Sequence, residues 1–140
     1  MQAELDTNYL GTLAVVRAFL PQVEAAGGTI VNVLSALSWL SFPGTGAYCA
    51  AKSAAWSMTN ALRADLAPRG VTVAGLYVGY MDTDMTAGID APKSDPAVIA
   101  RIAVDAIEAG STEIVADEIS RQGQAGLAGG VAALYPQLTR

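Results

Sequence analysis

The sequence predicts an α/β fold, a doubly wound parallel sheet with flanking helices, in a single domain over residues 1–140. Three observations predict it. Helical and extended patterns alternate along the chain. The extended segments are short, β-branched and apolar on both faces, as strands covered on two sides should be. The connections between them are long enough for the crossovers that parallel neighbours need.

From Leu10 to Val23, apolar residues recur at helical spacing (Leu10, Leu13, Ala14, Phe19, Leu20, Val23), and Gly27 with Gly28 gives the stop signal. "TIVNVLS", 29–35, reads as a buried strand, and "ALSWLSFPGTG" after it as a loop punctuated by Pro43, Gly44 and Gly46. A second helix is expected over 47–66, with Ala47, Ala51, Ala54, Met58 and Leu62 on one face and Pro68 and Gly70 ending it. "VTVAGLYV", 71–78, is a second strand. Segment 79–95 is a long loop of the kind that forms lids or binding loops. A third helix comes next over 96–109, then a third strand, "TEIVA", 112–116, and a weakly helical tail from Asp117 to Leu134 interrupted by "GQAGLAGG".

Composition narrows the function. Hydrophobic residues make up 52% and charged residues 15%, which is material for a core. The net charge is -5 and the basic residues form no stripe, so a nucleic-acid partner is not expected. No apolar run reaches the ~18 residues of a membrane helix, and Glu4 and Asp6 stand where a signal peptide is basic, so a cytoplasmic protein with no membrane partner is expected. With one cysteine, Cys49, and no histidine, Ser-His-Asp and Cys-His catalysis and most zinc chemistry are excluded, leaving acid–base work to Tyr, Lys or a carboxylate. No metal is expected; Asp82 and Asp84 read as a solvated loop, since no further ligands cluster with them.

The chemistry centres on "YCAAK", 48–52. Residues four apart on a helix project from one side, so Tyr48 and Lys52 are neighbours. A phenol is a poor base at neutral pH, but an adjacent ammonium stabilises its phenolate, which predicts a lowered pKa for Tyr48. Tyr48 could then deprotonate an alcohol or, in reverse, protonate a carbonyl oxygen being reduced, and Ser35, at the end of the preceding strand, could hydrogen-bond the same oxygen. Ser38 is an alternative hydroxyl. Alone, a Tyr-x-x-x-Lys spacing is common on solvated helix faces.

The surrounding residues add context. "GGTIVNVLSALSWLSFPGTGAYCAAKSA" resembles the active-site block of the short-chain dehydrogenase/reductase family, "NYLGT" its Asn-x-x-Gly segment and "VGYMDTDM" its loop after the next strand. The resemblance spans Asn8 to about Ala116. It implies a Rossmann-like sheet and an oxidoreductase that moves hydride between NAD or NADP and a small-molecule alcohol or carbonyl. It implies catalytic roles for Asn8, Ser35, Tyr48 and Lys52. Asn8 would hold a helix distortion, Ser35 would orient the substrate oxygen, Tyr48 would be the acid–base and Lys52 would tune it. The cofactor would meet Tyr48, Lys52, Gly79 and Thr83, and a homo-oligomer is expected. Leu34 and Val78 depart from the family's usual serine and proline.

No strand, glycine-rich turn and helix precede Asn8, and "GQAGLAGG" comes after a polar helical stretch instead of a strand. The resemblance therefore implies the C-terminal portion of such an enzyme, truncated of its dinucleotide-binding half. The alternative is a non-catalytic remnant or dimerisation module unable to hold cofactor alone. An unpaired sheet edge and exposed apolar helix faces are expected in either case. Cys49 and Trp56 read as packing residues. Trp39 reads as packing or as a pocket wall.

Overall fold

The structure is a computed structural model that describes residues 1–138. Short helix α1 (Gln2–Leu5) continues through a π-helical stretch (Asp6–Gly11) into α2 (Thr12–Ala25). Then come β1 (Thr29–Val33), α3 (Gly46–Leu66), β2 (Thr72–Tyr77), α4 (Pro96–Glu108), β3 (Glu113–Val115), α5 (Glu118–Gly126) and α6 (Gly130–Leu134). The strands form one parallel sheet in the order β1-β2-β3, with Thr29 opposite Thr72, Val33 opposite Leu76 and Tyr77 opposite Val115. The predicted fold class is the observed one.

Period-two alternation along β2 divides the core. Ala74, Leu76 and Val78 pack with Ile99 of α4 and with Ile114 and Ala116, while Val73, Val71 and Leu66 form a second cluster that takes in Leu20, Val23 and Leu62. Tyr77 points to the same side as Val73 and joins Leu34, Trp39 and Ala55 in a third. Helices thus cover both faces of β2. Cys49, Ala51, Ala55 and Met58 are among the buried residues of α3, and Arg63 ties its far end to the Val73 and Thr112 carbonyls at 3.1 and 2.8 Å. One buried polar pair crosses this interface: Asn32 Nδ2 donates to Thr59 Oγ1 at 3.0 Å, and that hydroxyl donates to the Ala55 carbonyl at 2.7 Å. With both groups satisfied, the pair avoids the cost of an orphaned buried donor.

The helix before β1 departs from its predicted face. Only Val16 of α2 is buried, and Leu10, Val15 and Phe19 are exposed. Periodicity identifies an apolar stripe, whereas burial needs a surface opposite it; Leu20 and Val23 of α2 pack on the Leu66 cluster. Val33, on edge strand β1, is also exposed. Among the described residues no helix is long and apolar enough to cross a membrane.

Candidate active site

All three strands run the same way, so the segments that leave their carboxyl ends gather at one edge of the sheet. Pairing continues past the strands: Leu34 N–H donates to the Leu76 carbonyl at 2.7 Å, Ala36 N–H to Val78 at 3.2 Å and Ala116 N–H to Tyr77 at 2.9 Å. These bonds fix where Ser35, Gly79 and Asp117 emerge. Between them lies a cleft of about 540 Å³ whose lining includes Ser35, Tyr48, Lys52, Gly79 and Thr83. Five of the six residues predicted for the site converge there.

Ser35 is held by a reciprocal capping arrangement around the short turn Ala36–Ser38. Its Oγ accepts from Leu37 N–H at 3.1 Å, and its own N–H donates to Ser38 Oγ at 3.3 Å. Ser38 is buried and does not line the cleft, which distinguishes the two candidate hydroxyls. Tyr48 and Lys52 share one side of α3, with Lys52 Nζ 5.6 Å from the Tyr48 ring centroid. Lys52 Nζ also donates to the Val33 carbonyl at 3.2 Å, anchoring it to the end of β1.

The electrostatics correct one expectation. Tyr48 is raised above the ordinary phenol value, not lowered. Burial is the largest cause, a hydrogen bond with Ser35 opposes it, and the Glu4 and Cys49 charges add to it. Lys52 is lowered, chiefly by burial, with Glu4 acting the other way. The spacing argument treats the pair as though in water, but both groups are withdrawn from solvent, and desolvation disfavours phenolate and ammonium alike.

Asn8 does not line the cleft. It sits in the π-helical stretch, where its Nδ2 donates to Glu4 Oε2 at 2.9 Å and to the Glu4 carbonyl at 3.2 Å, and its carbonyl accepts from Thr12 Oγ1 at 2.9 Å. Asn8 thereby holds Glu4, which does line the cleft. Replacing Glu4 with Gln keeps the hydrogen-bonding shape and removes the charge that disfavours the Tyr48 phenolate. The Tyr48 titration is then expected to move to lower pH, read as tyrosinate absorbance after subtracting the matching Tyr48→Phe protein. A titration that stays put means the carboxylate does not reach the phenol.

Gly79 is required by close approach: a Cβ there would lie 2.4 Å from Ile119 Cγ2. Its N–H donates to Asp117 Oδ2 at 2.6 Å, while Asp117 Oδ1 caps α5 by accepting from Ser120 N–H at 2.9 Å. Asp117 therefore ties the β2 end of the site to α5, and Ile119 forms part of the wall. Thr83 opens a short turn (Asp84–Thr86) that carries Met85 and Thr86 into the lining. Trp39 is absent from the lining; it stacks on Tyr77 at 4.2 Å between ring centroids and meets Trp56 edge-on at 6.5 Å. Both tryptophans are packing residues.

Sequence reasoning missed Glu4, Asp117 and Ile119. For Asp117 a signal was present, an Asp directly before a helical stretch.

A parallel α/β sheet with a hydroxyl, a phenol and an amine around one cleft at its carboxyl edge fits the α/β oxidoreductases. A profile of the short chain dehydrogenase family matches residues 1–94. A short chain dehydrogenase from Burkholderia cenocepacia, solved in complex with NADP, superposes with a TM-score of 0.91 at 36% identity, over 99% of this chain and 59% of that one. The NADPH-dependent 1-acyldihydroxyacetone phosphate reductase of Schizosaccharomyces pombe is 40% identical over 79 residues, which is 56% of this chain and 27% of that enzyme. Retinol dehydrogenase 16 of Rattus norvegicus is 40% identical over 85 residues, 61% of this chain and 26% of that protein. The chain belongs to the short chain dehydrogenase family, and spans about a quarter of the length of these two curated relatives.

Proposed function

We propose that this chain carries the proton-transfer centre of an NAD(P)-dependent oxidoreductase that interconverts an alcohol and its carbonyl. The observation that carries the reading is the convergence of Ser35, Tyr48 and Lys52 on one cleft. In carbonyl reduction the Ser35 hydroxyl hydrogen-bonds the substrate oxygen and Tyr48 delivers its proton to that oxygen; in alcohol oxidation the proton returns to Tyr48. The raised Tyr48 pKa keeps the phenol protonated at neutral pH, which suits the reductive direction.

The donor set beside the phenol fits a nicotinamide riboside. Lys52 would hold ribose hydroxyls, Thr83 would meet the carboxamide, and Gly79 would form part of the floor, all three lining the cleft. Bound there, the nicotinamide supplies or accepts the hydride. The NADP complex of the bacterial structure and the NADPH dependence of the yeast relative support the phosphorylated cofactor. Asn8 acts through Glu4 and the π-helical stretch and touches no reacting atom.

A second reading is a non-catalytic association module. It is favoured by the exposed Leu10, Val15 and Phe19, a surface suited to a second copy of the chain. The glycine-rich stretch 123–130 is taken up within the chain, where Gly123, Gly126 and Gly129 pack against Leu40, Leu134 and Ala133 respectively. Calorimetric titration with NADPH and NADH separates the readings. Saturable binding of either, with ketone-dependent loss of reduced-cofactor absorbance, is the expected result, and no heat from either would reject the enzymatic reading for this chain.

A further inference from the structure

We propose that the cleft takes a neutral, largely apolar ketone or secondary alcohol and rejects substrates that carry a carboxylate or phosphate; this rests on the oxidoreductase reading for the reaction, but on the cleft walls for the choice of substrate. The relatives' names do not decide the point, since one contains a phosphate and another retinol.

The walls decide it. Phe42 comes from the loop after β1, Met81, Met85 and Ile89 from the segment after β2, and Ile119 from α5. Three of them stand in water at the mouth, Phe42 at 40%, Met85 at 79% and Ile119 at 37% exposure. An apolar occupant would cover this surface, and the two flexible methionines adapt to its shape. At the inner end are Ser35 and Tyr48, a pair suited to a single oxygen. The arrangement thus describes a molecule with one polar atom at the reacting end and hydrocarbon beyond it.

The charges argue the same way. Among the described residues, only Glu4 and Lys52 of the cleft lining are charged, and no arginine lines it. One N–H of the Lys52 ammonium is given to the Val33 carbonyl and the ribose hydroxyls proposed above would take the others, while burial lowers its pKa. Glu4 presents a second charge of the wrong sign for an anion. A neighbouring depression, which shares Ile89 with the cleft, is lined by Asp82, Asp90 and Asp95 against a single Lys93. An anionic substrate would therefore pass a carboxylate-rich rim and lose its hydration for a cationic partner already shared with the Val33 carbonyl and the cofactor ribose.

The test measures binding and turnover separately. Methyl ketones of increasing length, and the same ketones ending in a carboxylate, are titrated into the protein with and without NADPH, using ligand-observed NMR. Affinity is expected to rise about fourfold per added methylene, the factor that ~0.8 kcal/mol of burial gives at 1.36 kcal/mol per tenfold. Each neutral ketone should outbind its carboxylate counterpart by about tenfold or more. Met85→Arg, at an exposed position outside the proton-transfer centre, should narrow or reverse that preference. Equal or tighter binding of the carboxylates by the unmodified protein overturns the proposal, and so does failure of every ketone to bind. Preferential ketone binding without turnover leaves the substrate class standing and sinks the oxidoreductase reading.

Discussion

Replacing Tyr48 with Phe is expected to lower carbonyl reduction by about 10²–10⁴-fold, the usual contribution of a positioned general acid. The substitution removes one oxygen and keeps the ring, so the aromatic face beside Lys52 Nζ remains. Lys52 and Thr83 are untouched, and NADPH affinity should change little. The loss should therefore fall on kcat and not on cofactor binding. The pH dependence derives from the raised phenol pKa. Reduction needs the protonated phenol, which is present throughout the neutral range and is lost only as pH climbs past that raised value. Oxidation needs the phenolate, so its rate should still be rising where an unperturbed phenol would be half-ionised. Stopped-flow measurement of both directions against pH checks this. A Tyr48→Phe protein that turns over within a few-fold of the parent would remove Tyr48 from the reaction.

The positions of Ser35, Tyr48 and Lys52 are legible in the sequence because each obeys a local rule, while their choice as a site comes from the resemblance to the family. The end of a β-branched strand locates Ser35 along the chain and the 3.6-residue turn puts Tyr48 beside Lys52, while bonds to Leu76, Val78 and Val33 bring the three to one cleft. The parts that were not legible depend on what lies across a gap. The pKa direction of Tyr48 is one, since spacing gives the neighbour and not the surrounding dielectric. The apolar face running into α2 is another: Leu10 and Phe19 obey the helical period yet stay about half exposed. The π-helical stretch adds a residue to a turn without any signature in the apolar pattern, so only the resemblance singles out Asn8. In the sequence, Glu4 speaks only against a signal peptide. It acquires its place by reaching into the cleft while hydrogen-bonded to Asn8, a tertiary fact.

The second large effect is expected at Trp39. Its side chain is 8% exposed, lies 21° from parallel with the Tyr77 ring, and meets Trp56 at 87° in the cluster that includes Leu34 and Ala55. Trp39→Ala removes both aromatic contacts and opens a cavity between β2, α3 and α5, whose Gly123 approaches within 3.6 Å of the indole when given a Cβ. The expected loss is about 3–5 kcal/mol, a large share of the ~5–15 kcal/mol by which a domain is stable, so the thermal midpoint should fall by at least ~10 °C. Trp39→Phe separates packing from polarity. It keeps a ring against Tyr77 and deletes an indole N–H that is buried without a hydrogen-bond partner among the described residues, so its cost should be under half that of Ala. The effect also reaches the site, because Trp39 directly succeeds the turn that holds Ser35 in its capping arrangement. Well below its melting temperature, Trp39→Ala should therefore reduce kcat more than it raises KM, since a displaced Ser35 hydroxyl weakens orientation of the reacting oxygen while the apolar walls persist. Circular-dichroism melts paired with low-temperature kinetics test both halves, and a Trp39→Ala protein that melts with the parent would show that this cluster does not hold the loop.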